Sequence, residues 1–168
     1  MSVFIVNGAP GVGKSTFEEY VREILGKENC SIFSTVDIVK DIARQVGWDE
    51  TKTPKNRKFL SDLKDLLTEW DDVPFRTTIT SVALALDVTS GRHVVFIDCR
   101  EPKEIDKLKK YYNCKTILVR RNKKEKEEIS NHADAEVENY KYDIIIDNNG
   151  SKGDLIDRVV EFIKSENL

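Results

Sequence analysis

Val3-Phe-Ile-Val-Asn7-Gly8-Ala-Pro-Gly-Val-Gly13-Lys14-Ser15-Thr16 is the stretch from which the rest of the chain can be read. Val3 to Val6 is β-branched and aromatic, the composition of a strand, and Asn7-Gly8 marks the turn that ends it. Beyond it, Phe17, Tyr20, Val21, Ile24 and Leu25 recur at helical spacing until Gly26 stops the helix. Between strand and helix, Gly8 to Ser15 matches GxxxxGK[ST]. Glycines let the backbone turn tightly and present consecutive N–H groups to an anion. The helix start adds unsatisfied donors and a partial positive charge. The run Gly8-Ala9-Pro10-Gly11-Val12-Gly13-Lys14-Ser15-Thr16 therefore reads as a cradle for the phosphates of a nucleoside triphosphate. Lys14 can reach the β- and γ-phosphates, and the Ser15 hydroxyl can hold Mg²⁺. The plainer reading, a chance turn between strand and helix, does not require this order of residues in this place.

Working outward, strand-like segments at Cys30–Phe33, His93–Asp98, Lys115–Val119 and Asp143–Asp147 alternate with helical stripes. The stripes run through Val36 to Val46, Phe59 to Trp70, Phe75 to Val88, Ile105 to Tyr112 and Leu155 to Ile163. The polar stretch Trp48 to Arg57, with Pro54 inside it, reads as a loop. Parallel strands need crossovers, so five strands each separated by helix predict a parallel sheet covered on both faces. No repeat or linker interrupts the 168 residues, which read as one domain.

Composition narrows the function. Basic and acidic residues number 27 and 30, interleaved as in Arg120-Arg-Asn-Lys-Lys-Glu-Lys-Glu-Glu128, so nucleic-acid binding through bulk charge is not expected. The apolar runs, such as Val94–Ile97, are far shorter than the ~20 residues of a membrane span. Three cysteines, Cys30, Cys99 and Cys114, lack CxxC spacing and indicate neither a disulfide framework nor a zinc site. With no signal-like N-terminus, a cytoplasmic setting is expected.

A magnesium-binding aspartate is expected at the end of a neighbouring strand. Asp98 and Asp147 both qualify, although aspartates also begin turns after strands. Asp98 is preferred because Arg100 and Glu101 follow it at the carboxyl end of a strand, where parallel sheets place ligands. Arg100 can grip a phosphate bidentately, as a lysine cannot.

Gly8 to Ser15 together with Val94-Val-Phe-Ile-Asp-Cys-Arg-Glu-Pro102 resembles the nucleoside monophosphate kinase group of phosphate-loop proteins. The likeness is greatest to phage and bacterial deoxynucleoside monophosphate kinases and the related phosphomevalonate kinases. The resemblance implies a three-layer α/β/α fold with strand order 2-3-1-4-5. It also implies an ATP- and Mg²⁺-dependent transfer of the γ-phosphate to a monophosphorylated small molecule. Asp98 and Arg100 match the family's Asp-x-Arg, Lys40 a lysine after the second strand, and Arg57 an arginine entering the next helix. Lys40, Arg57 and Arg100 become candidates for the acceptor phosphate, with Asp37 as a further polar contact, in an acceptor segment spanning 35–90. A lid at 120–139 is implied, with Arg120 and Arg121 closing on the transferring phosphate. Asn148, in Asn148-Asn-Gly150, matches the place where such kinases cradle adenine through backbone groups. Lys14, Asp98, Arg100, Arg120 and Arg121 are thus the expected catalytic set.

Other readings make different demands. The charged stretch after Arg121 also fits a solvated surface, and His132 with Asp134 an exposed loop. A GTP-dependent switch would need Asn-Lys-x-Asp where the chain has Asn122-Lys-Lys-Glu125, and Asp-x-x-Gly where it has Asp98-Cys-Arg-Glu101. A non-catalytic nucleotide-binding module stays open as a third reading, although the intact set Lys14, Ser15 and Asp98 does not call for it.

Overall fold

The computed structural model describes residues 2–87, 92–121 and 137–168. The five strands are β1 (Ser2–Asn7), β2 (Cys30–Ser34), β3 (Val94–Asp98), β4 (Lys115–Arg120) and β5 (Ile144–Asp147). They form one sheet in the order β2-β3-β1-β4-β5, with β1 parallel to both β3 and β4, and β4 parallel to β5. The predicted strand order is the observed one. Helices α1 (Lys14–Leu25), α2 (Asp37–Gln45), α3 (Pro54–Asp71), α4 (Val73–Asp87), α5 (Pro102–Tyr112) and α6 (Lys152–Ser165), with short 3₁₀ turns at Lys27–Asn29 and Val137–Asn139, complete the described elements.

The chain divides into two compact units, Met1–Ile32 with Val88–Leu168, and Phe33–Asp87. In the first unit, strands buried on both faces explain the unbroken apolar runs at Val3–Val6 and Val94–Ile97. Phe4, Val6, Phe96 and Val119 pack with Phe17 and Val21 of α1 and Leu155, Val159 and Phe162 of α6. Ile105 and Leu108 of α5 are fully buried outside that cluster, which gives the three-layer α/β/α arrangement. Phe162 anchors the first layer. Its ring centroid lies 5.2 Å from that of Phe4 and 5.4 Å from that of Phe17, both edge-to-face. Such pairs add ~0.5–1.5 kcal/mol to the area they bury. Because Phe17 is on the first turn of α1, this contact also fixes the end of the phosphate loop.

In the second unit, α2, α3 and α4 pack against one another. The loop expected over Trp48 to Arg57 ends earlier than its polarity suggests. Thr53 accepts a hydrogen bond from the Asn56 N–H, and Pro54 occupies the first helical position, so α3 begins there. Proline starts a helix well, since the N–H it lacks would have no partner in the first turn. The stripe on α3 is split as well: Leu66 and Trp70 are 62% and 76% exposed.

Candidate active site

The phosphate loop is built by backbone constraints that only glycine satisfies. Gly13 sits at φ 97°, ψ 22°, a left-handed conformation, and a Cβ there would collide with the Asn148 side-chain nitrogen. A Cβ on Gly8 would meet the Val119 carbonyl oxygen, because β1 and β4 are neighbours. Val12 is buried and pins the loop, while Pro10, Gly11, Ser15 and Thr16 are exposed.

Thr53 caps α3, and Ser151 with Asp154 forms a reciprocal capping box on α6. Helix α1, which starts from Gly13, has no side-chain cap, and neither do α2 and α5. The first-turn N–H groups of α1 are left for an anion.

Lys14 reaches across to the neighbouring strand. Parallel pairing sets Val6 opposite Asp98. The Lys14 Nζ then lies 2.5 Å from Asp98 Oδ1, with the two side chains 15% and 22% exposed. One helical turn beyond Lys14, Glu18 is 1% exposed. Its Oε1 has no hydrogen-bond partner among the described residues. Burial first, and the Asp98 charge second, push the Glu18 carboxyl up to about 8, against the pull of Lys14. Both causes favour the protonated form of Glu18.

Arg100 follows two residues after Asp98, and its carbonyl accepts a 3.1 Å hydrogen bond from Asn7 Nδ2. Asn7 is fully buried. Its Oδ1 accepts from the Gly8 N–H at 2.8 Å, and its second amide proton goes to the Tyr142 hydroxyl, also at 2.8 Å.

At the end of β4, Arg120 pairs with Asp147 of β5. Nε is 2.5 Å from Oδ1 and Nη2 is 3.3 Å from Oδ2. The hydrogen bond from Arg120 holds the Asp147 carboxyl below the usual carboxylate range. Arg121 is exposed. Of the expected lid, residues 122–136 lie outside the described residues, and His132 and Asp134 with them. Asn148 donates its backbone N–H to the Arg120 carbonyl and its side-chain N–H to the Val12 carbonyl, both at 2.8 Å. Its side chain thus fastens the phosphate loop.

Asp37, Lys40 and Arg57 belong to the second unit. Asp37 Oδ2 accepts from the Ser34 N–H at 2.8 Å at the start of α2, and Lys40 lies one turn on, 4.0 Å from Asp37 Oδ1. Arg57 is an exposed residue on the first turn of α3.

Three contributors were not singled out from the sequence. Asn7 reads as a turn residue, and Tyr142 as one aromatic in a polar stretch. Glu18 carried a usable signal: it lies four residues after Lys14, between Phe17 and Val21, where helical periodicity turns a side chain inward.

Among the described residues no group of three or more His, Cys, Asp or Glu side chains could enclose a metal ion. The site does suit Mg²⁺ held jointly with phosphate, since that ion takes one or two protein oxygens and keeps waters and phosphate for the rest. The exposed Ser15 hydroxyl and the Asp98 carboxylate are such oxygens.

No protein-family model matches the chain, and no curated protein matches it by sequence. Solved structures do. An unliganded sugar kinase from Janibacter sp. HTCC2649 is 14% identical, with a TM-score of 0.54 over 98% of this chain and 95% of that one. A gluconokinase from Sinorhizobium meliloti 1021 is 13% identical, with a TM-score of 0.53 over 98% of this chain and 93% of that one. At such identities the likeness is one of fold. The three-layer α/β/α fold of this chain is the one it shares with these two kinases.

Proposed function

We propose that this chain is an ATP-dependent phosphotransferase acting on a small molecule that already carries a phosphate group, a nucleoside or deoxynucleoside monophosphate before others. The observation that carries the reading is the uncapped start of α1 with Lys14 held on Asp98 and Arg100 two residues further on. A module that only bound nucleotide would need the loop but not a second phosphate-gripping cation at the strand end.

In this reading, backbone N–H groups of the loop between Gly8 and Thr16 hold the phosphate chain of ATP, apart from the Gly8 N–H, which Asn7 Oδ1 takes, and Pro10, which has none. Lys14 leaves Asp98 for the β- and γ-phosphates. Ser15 and Asp98 are the residues that would hold Mg²⁺, which supplies charge neutralisation when bound. An acceptor phosphate oxygen attacks the γ-phosphorus, the bond to the β-phosphate oxygen breaks, and ADP leaves with that electron pair. Such transfers depend on positioning and electrostatic stabilisation more than on a general base. Arg100 and the strand-end arginines Arg120 and Arg121 are assigned to the phosphates, Lys40, Arg57 and Asp37 to the acceptor, and Asn148 to the adenine end. Asp98 is favoured over Asp147 as the metal residue. Asp147 stands on β5, with β4 between it and β1, and is engaged by Arg120.

A second reading has one observation behind it: the two structural neighbours described above are named as a sugar kinase and a gluconokinase. An unphosphorylated polyhydroxy acceptor therefore belongs in the test. The experiment is a phosphotransfer screen with ATP and Mg²⁺, read by product mass. It covers ribo- and deoxynucleoside monophosphates, phosphomevalonate, and sugars and sugar acids. One product heavier by a phosphoryl group, absent with Lys14→Ala, is expected. No phosphorylated product from any acceptor class overturns the proposal.

A further inference from the structure

Asn7 ends β1 at zero exposure, and its amide makes three hydrogen bonds, one to the next residue and two to distant segments. The oxygen takes the Gly8 N–H, so the first donor of the phosphate loop is held by the protein. One amide proton goes to the Arg100 carbonyl and the other to the Tyr142 hydroxyl. That hydroxyl in turn donates to the Val137 carbonyl at 2.8 Å, and Val137 is itself 2% exposed. The direction of each bond is forced. Carbonyls only accept, so the amide nitrogen must face Arg100, and the tyrosine must receive from Asn7 and give to Val137. The turn before a phosphate loop does not need this. Any residue can end a strand, and an apolar side chain would cost less to bury than an amide.

We propose that Asn7 is a positioning residue for phosphate transfer, fixing the entry of the phosphate loop and the backbone of Arg100 through one amide, with Tyr142 as its partner. A single rigid group with three bonds holds the donor cradle and the Arg100 segment in one register. Loss of it lets them drift independently, and small misplacements weigh heavily where catalysis depends on alignment. Burial, which pushes the Tyr142 hydroxyl up to about 12, keeps it a neutral donor throughout the working range. The inference rests on the phosphotransferase reading for its consequence, but the linkage is open to a separate test.

The test compares Asn7→Leu, Tyr142→Phe and the double variant with the wild type. Leu matches the amide in shape and adds no charge that would itself repel phosphate. Two quantities are read at a temperature where circular dichroism shows each variant folded. They are the Kd for a non-hydrolysable ATP analogue with Mg²⁺, and the KM of the acceptor identified by the screen. Asn7→Leu is expected to weaken both by on the order of tenfold, as befits several buried groups left unpaired. Tyr142→Phe should shift both the same way by a smaller factor, and the double variant should be no worse than Asn7→Leu within twofold. A merely structural role predicts a lower melting temperature with Kd and KM unchanged, and that result overturns the proposal. So do effects of the two substitutions that multiply. Should Asn7→Leu fail to fold, Tyr142→Phe decides alone, and an unchanged Kd and KM there overturns it. If the wild type phosphorylates no acceptor, the kinase reading falls while the Kd comparison still judges Asn7.

Discussion

Lys14 Nζ lies 2.5 Å from Asp98 Oδ1, so the cation meant for phosphate and the carboxylate meant for the metal neutralise each other. Under the proposed function, nucleotide binding exchanges this pair for two others, Lys14 with phosphate and Asp98 with the ion.

Lys14→Ala should therefore abolish transfer, lowering kcat/KM for ATP by on the order of 10³-fold, because the site works by electrostatic stabilisation. The fold should survive, since Lys14 is not part of the core and removing it only frees Asp98 to water. Near-native turnover by a folded Lys14→Ala protein is the outcome that defeats the assignment.

Asp98→Asn keeps the shape of the side chain but removes half of the Lys14 pair. Activity should fall at low Mg²⁺ and recover in part as Mg²⁺ is raised, measured as rate against Mg²⁺ concentration. Asp147→Asn should show no such rescue. The opposite pattern would move the metal to Asp147.

The Arg120 and Asp147 pair makes a different demand. Register sets the two residues opposite each other on β4 and β5. The side chains are 43% and 44% exposed, so the pair itself contributes little stability. Arg120→Ala should lower kcat at least tenfold with the melting temperature almost unchanged. If Asp147 acts by aiming Arg120, adding Asp147→Asn to Arg120→Ala should cost nothing more. Equal kcat in wild type and Arg120→Ala would reduce the pair to surface decoration.

How much of this was legible follows from the range over which each signal acts. The phosphate loop is local: Gly8, Gly13, Lys14 and Ser15 are fixed by turn geometry and a helix start, and both leave marks in sequence order. The sheet was readable because strands buried on both faces must be apolar throughout, as Val94 to Ile97 are. The start of α3 is hidden in the sequence because Pro54 reads as a breaker, whereas Thr53 before it is a cap. The links between Asn7 and Tyr142, and between Asn148 and Val12, join residues 135 and 136 positions apart, and no periodicity encodes a hydrogen bond over that distance. Glu18 lies between these cases. Its inward position is periodic, but its raised carboxyl depends on burial first and then on Asp98, which arrives from another strand.

Glu18 also gives the site a pH dependence that can be measured without any substrate. Its ordinary value of 4.5 is raised to about 8 in the fold, by burial first and by Asp98 second; Lys14 opposes the shift and Glu19 adds to it. A raised carboxyl binds its proton more tightly in the folded state than in the unfolded one. Below about pH 4.5 both states are protonated and the group costs nothing. Between there and about pH 8 the unfolded chain gives up the proton while the folded chain keeps it, so stability falls as pH rises. Glu18→Gln keeps the shape and cannot ionise. Relative to that variant, the wild type should lose melting temperature steadily from pH 5 to pH 8.5 and level off above, with the two proteins closest at the acid end. The comparison is one of slopes, because the glutamine leaves its own buried amide in the same place. Parallel melting curves for the two proteins across that range would mean that Glu18 is ionised in the fold, and that Lys14 answers to two carboxylates instead of one.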